Sequence, residues 1–127
     1  MGREIELIER RMVVRSGGEV DSILISIKKL LGIAEEYDHF DPDIIIHINS
    51  TFSVLTQIGI GPEEGFFIKD ASTTWSDYLH NDCRLEFVKK FVYLKVRLGF
   101  DPPSSSGAIE AINRQISELE WRISVAV

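Results

Sequence analysis

A thiol becomes a nucleophile at neutral pH only with a base or a positive field beside it. Cys83 has His80 three residues upstream in "HNDCRLEF". Nothing else in that segment matches a cysteine-nucleophile signature, so the thiol reads as stray or part-buried. The three histidines, His39, His47 and His80, lack the spacing of metal ligands: the chain has no HExxH, no CxxC and no second cysteine. His47 falls among isoleucines and reads as a satisfied or surface histidine. Asp38, Asp41 and Asp43 suggest a calcium loop, but Pro42 and the missing downstream glycine and bidentate glutamate break that pattern. Helix capping accounts for them better. In "GIGP" the proline removes one of the backbone donors that a phosphate cradle needs. No catalytic residue, metal site or cofactor is expected.

Composition narrows the partners. The 127 residues suit one domain, 44% of them are apolar, and the formal net charge is −6. That balance disfavours unspecific affinity for nucleic-acid phosphates. A single cysteine fits a reducing compartment. No apolar run reaches the length of a membrane span, and the start of the chain lacks the apolar block of a signal peptide, so synthesis in the cytoplasm is expected.

Glycine and proline punctuation divides the chain into helical lengths. In "VDSILISIKKLLG" the apolar Ile23, Leu24, Ile27, Leu30 and Leu31 recur at helix spacing, Asp21 or Ser22 caps the start, and Gly32 supplies the left-handed stop. A second helix follows "EEYDHFDPD", with Asp41 as cap, Pro42 in the first helical position and Ile44, Ile45, Ile48, Phe52, Leu55 and Ile58 as its buried stripe. "GFFIKD" reads as an extended loop arm with a sticky tip, since one short apolar run has no partner strand. The third helix comes in two pieces: Thr74 to Asp77 resembles a capping box, "HND" interrupts, and the main run spans about Cys83 to Leu98. Its apolar residues cover much of its circumference, which predicts a central position. Arg84, Lys89, Lys90, Lys95 and Arg97 read as snorkelling charges rather than as a phosphate-binding strip.

The last helix has a different pattern. Ile109, Ile112, Ile116, Leu119 and Ile123 are spaced three, four, three and four, a narrow heptad seam for helix-on-helix packing. Glu110 with Arg114, and Glu118 with Arg122, stand acid before base at the favoured spacing. Pro102 and Pro103 stiffen the approach, Ser104 to Gly107 offers a hinge and a cap, and Trp121 falls off the seam on the outer side. The candidate interface residues are therefore the arm residues Phe66, Phe67 and Ile68, together with Trp75, Arg114, Trp121 and Arg122.

The succession "ILISIKKLLGIAEEY", "FDPDIIIHINSTFSVLTQIGIGP", "FVYLKVRLGFDPPSSS" and "INRQISELEWRI" resembles the small head-tail connector, or adaptor, proteins of tailed bacteriophages of Gram-positive bacteria. The likeness covers about residues 21 to 125. It implies an all-α subunit, a compact bundle of about four helices with a long loop arm between the second and third. It also implies a structural role in the virion neck. A ring of roughly twelve copies would sit beneath the portal protein, meet the next connector, stopper or tail protein, and pass DNA without sequence-specific binding or membrane contact. Residues 1–20 depart from the family's usual start. They read either as an accessory helix with Ile5, Ile8 and Met12 on one face, or as translation of a purine-rich ribosome-binding site at Gly17-Gly18-Glu19. The expected division is an extension over 1–20 and a connector domain over 21–127. Another class of reading is a small soluble regulator that binds a protein through its C-terminal helix. A helix-turn-helix DNA binder is opposed by the acidic balance and the lack of a basic recognition helix.

Overall fold

The glycine and proline breaks of the sequence separate five helices in the computed structural model, which describes residues 21–125. They are α1 (Ile23–Leu31), α2 (Asp41–Gln57), the single turn α3 (Trp75–Tyr78), α4 (Leu85–Phe100) and α5 (Ser106–Val125), with no strand among the described residues. The chain is thus an all-α bundle. The expected extension over residues 1–20 lies outside the described residues.

Ser22 starts α1 by accepting the Ile25 amide at 3.3 Å, and its own hydroxyl donates to the Ala71 carbonyl at 2.8 Å. The Ile23 amide donates to the Thr73 carbonyl, and the Trp75 amide to the Asp21 carbonyl, so the starts of α1 and α3 are clipped together. Gly32, at φ 84°, ends α1 in the left-handed conformation, with Ile33 N–H reaching back to the Lys28 carbonyl. Leu30, one of the apolar residues at helix spacing, lies in the last turn and is 56% exposed.

The start of α2 lies one residue earlier than expected. Phe40 holds the cap position without a side-chain bond, and Asp41 is the first helical residue rather than the cap. The carboxylate of Asp41 is drawn instead to the ammonium of Lys28, 2.8 Å away. Lys28 is 1% exposed. Its Nζ also donates to the carbonyls of Glu35 (3.0 Å) and Tyr37 (2.8 Å), so a buried cation gathers the α1–α2 loop around itself. Such a charge is tolerated inside only when it is paired and hydrogen-bonded.

A reciprocal capping box opens α3: Asp77 N–H donates to Thr74 Oγ1 at 3.1 Å and Thr74 N–H to Asp77 Oδ2 at 2.9 Å. Asn81 breaks the run in the left-handed region, at φ 57°, a conformation asparagine tolerates better than most residues. Asp82 then accepts from the Arg84 amide (2.8 Å), Nε (3.0 Å) and a terminal guanidinium nitrogen (2.7 Å) ahead of α4. These bonds from Arg84 hold the Asp82 carboxyl below the usual aspartate range. The sign follows: a depressed folded-state value adds stability above the unfolded value of about 4, and that stability is lost as the pH falls through the folded value. Because the pair lies near solvent, Asp82→Asn should cost no more than about 1 kcal/mol at neutral pH. The difference from the parent should shrink on acidification below about pH 4. Urea unfolding at pH 7 and pH 3 checks this, and a difference that grows in acid would contradict it.

Helix α4 is central, as its apolar circumference predicts, packing on α5, α2 and α1. Val88, Phe91, Val92, Leu94 and Val96 are all buried. Its bases follow the snorkelling expectation where partners are seen: Lys89 Nζ lies 5.9 Å from the centre of the Trp75 ring, and Arg97 Nε donates to the Asp101 carbonyl at 3.1 Å. Aromatic rings close the far end of the core. Phe52 meets Tyr78 at 4.6 Å and Phe66 at 5.4 Å, and the Trp75 indole N–H donates to Ser26 Oγ at 2.9 Å. Helix α5 lies on α4 through Ile116, Leu119 and Ile123, with Ser105 Oγ accepting the Ala108 amide at its start. The predicted seam is buried in its C-terminal part, Ile112 is partly buried against the core, and Ile109 is only half-covered.

Candidate interaction surfaces

Cys83 is exposed, and no group of three or more potential metal ligands is found among the described residues. His39 leans on Phe40, with ring centres 5.1 Å apart. His47 fills the space over Gly99, where an added Cβ would come within 2.6 Å of its Nδ1. Burial pushes the Tyr78 phenol well above its ordinary value, and hydrogen bonds from Ser72 hold Asp70 below the carboxylate range. The Tyr78 phenol also feels the charges of Arg84 and Asp82, and Asp70 lies at the surface beside Lys69.

What the fold does present is large apolar side chains in solvent. The arm is an extended segment of alternating direction. Phe66 packs inward between Phe52 and Tyr78, Phe67 is 62% exposed, and Ile68 is 2% exposed. Asn49 of α2 fixes this alternation with two bonds, accepting the Ile68 amide at 2.8 Å and donating to the Ile68 carbonyl at 3.0 Å. An amide side chain thereby takes the place of a neighbouring strand and clips the arm to α2 at Ile68.

The candidate interface residues therefore separate. Ile68 and Trp75 are core side chains, because the arm closes back over α2 and the Trp75 indole is held by Ser26; neither faces solvent. Phe66 is mostly internal. Phe67, Arg114, Trp121 and Arg122 remain at the surface. Trp121 is 64% exposed on the outer side of α5, with exposed Val125 one turn further. Arg122 donates to Glu118 through two nitrogens, at 3.1 and 3.0 Å, and lies 6.0 Å from the centre of the Phe87 ring. The structure thus gathers Arg114, Trp121 and Arg122 on one helix and sets Phe67 on another element.

Sequence reasoning missed a third surface. A groove of about 590 Å³ lies between the start of α2 and the end of α4, with Leu31, Ile33, Phe40 and Phe100 as its apolar lining and Asp43 and Asp101 on its rim. Phe40 and Phe100 meet edge to face at 5.4 Å. Exposed Ile46 lies on the same helix as the rim residue Asp43. No local pattern announces it, since its apolar lining comes from Leu31, Ile33, Phe40 and Phe100, which are scattered along the chain.

A family model described as phage connector protein matches residues 23–127. No curated protein and no solved structure matches the chain.

Proposed function

The chain belongs to the phage connector protein family, whose members serve structurally between head and tail in the virion neck, and from that premise we propose how it does so. Copies assemble, roughly twelve to a ring, beneath the portal protein, extend its DNA channel and offer their other end to the next connector, stopper or tail protein. Head-to-tail contacts that close a ring need two different patches on each subunit. A net charge of −6 suits a channel wall, since repulsion keeps the sliding phosphates from being held. Synthesis in the host cytoplasm precedes assembly.

The family match over the whole described body carries this reading, and α5 supplies its most specific support. That helix follows the stiff Pro102-Pro103 pair, packs on α4 through a narrow seam, and turns an indole outward. Aromatic anchors dominate interface energetics, commonly at about 2 kcal/mol or more, which is roughly 30-fold in affinity. Trp121→Ala should therefore leave helix content and melting nearly unchanged while weakening recruitment to the portal by about that factor. Co-sedimentation of the full chain with purified portal measures it. Recruitment equal to the parent's would place the contact elsewhere, and a portal that never recruits the parent chain would remove the connector reading.

A further inference from the structure

We infer that Phe67 and Lys69 of one subunit seat in the α2–α4 groove of the next copy, forming the lateral contact of the ring; this rests on the ring reading above. In an extended segment alternate residues share a face, so Phe67 and Lys69 project together, about 6.6 Å apart along the chain. Both are exposed. The flanking Asp70 turns its carboxylate back onto Ser72 N–H (2.9 Å) and Oγ (2.6 Å), and by the same alternation it stands off the face that Phe67 and Lys69 share. The projection is thus a ring next to a cation, held in place in advance by Asn49, and ordering costs on binding are correspondingly small.

The groove is its complement. Phe40 and Phe100 offer aromatic surface, Asp43 and Asp101 offer exposed carboxylates, and a volume of about 590 Å³ admits a phenylalanine ring with the stem of a lysine. Position excludes pairing within one chain. His47, which lines the groove, and Asn49, which holds the arm, are two residues apart on α2 and so lie about 200° apart around it. Projection and groove therefore face opposite sides of the same helix, as a contact repeated head to tail requires.

The test uses the full chain, alone and with portal, with oligomer size read by analytical ultracentrifugation. Phe67→Ala and Lys69→Glu should each raise the concentration of half-assembly at least tenfold, with circular dichroism and melting unchanged. Asp43→Lys should do the same, and a mixture of Lys69→Glu with Asp43→Lys copies should recover assembly beyond either alone, since the reversed charges meet across the contact. Assembly of Phe67→Ala and Lys69→Glu at the parent's concentration overturns the inference and leaves the connector reading intact. So does loss of portal recruitment by variants that still self-assemble, since the groove would then serve the portal. A parent chain that forms no ring even with portal removes the ring reading and this inference with it.

Discussion

Lys28→Ala is expected to destabilise the fold by about 3–5 kcal/mol, a large part of the 5–15 kcal/mol that holds a domain of this size. Three acceptors converge on that ammonium: the Glu35 and Tyr37 carbonyls and the Asp41 carboxylate. Its removal leaves the carbonyls with no donor and Asp41 without its counter-ion, and the vacated stem opens a cavity beside Ile27 and Leu24 in the same helix. Lys28→Met separates the two costs, because it restores most of the stem's volume and none of the charge. It should recover part of the loss only. If the carboxylate is the main uncompensated group, Asp41→Asn on the methionine background will then cost less than it does in the parent. Urea unfolding of the four proteins at pH 7 decides; a loss below about 1 kcal/mol for Lys28→Ala would mean that the ammonium is well solvated, against its burial.

A comparably large effect is expected at Gly61, and its neighbour provides the control. Both Gly59 (φ 89°) and Gly61 (φ 82°) sit in the left-handed region, where any β-carbon is strained. At Gly59 an added Cβ meets nothing within 4 Å, whereas at Gly61 it would lie 2.7 Å from Cε1 of Tyr78. That ring cannot yield, being packed at 4.6 Å against Phe52 and 4.7 Å against Phe66. Gly59→Ala should therefore cost about 1 kcal/mol from backbone strain. Gly61→Ala adds overpacking and should cost about 2–4 kcal/mol in all. Thermal melting of the two variants gives the difference directly, and equal losses would show that the Tyr78 layer relaxes.

Local features carried most of the fold. Ser22, Gly32, Gly59, the Thr74–Asp77 box and the interruption at Asn81 act through bonds and dihedral angles within a few residues, so their types and spacing announce them. The α5 seam is equally plain, since a heptad pattern needs only a facing helix. Burial decided by distant chain was less legible. Lys28 looks like an ordinary solvent charge until the loop seven to nine residues later folds its carbonyls over it. Once that happens Asp41 is taken from its capping role. Trp75 and Ile68 look like surface anchors because the residues that bond them into the body, Ser26 and Asn49, lie 49 and 19 residues away. The groove was hidden for the same reason: Phe40 and Phe100 are 60 positions apart in sequence and meet only after α2 and α4 have packed.

The Asn49 clip also bears on how a protein that must self-associate avoids doing so wrongly. An extended segment with a free amide and carbonyl invites another chain to add to it as a strand, the usual route to edge pairing and aggregation. Here the amide and carbonyl of Ile68 are both already satisfied by one side chain. The arm's peptide groups at that point have nothing left to offer a passing chain. On the edge that Asn49 covers, selection of a neighbour is left to side chains, whose shape and charge distinguish the proper partner, rather than to main-chain hydrogen bonding, which accepts almost any sequence.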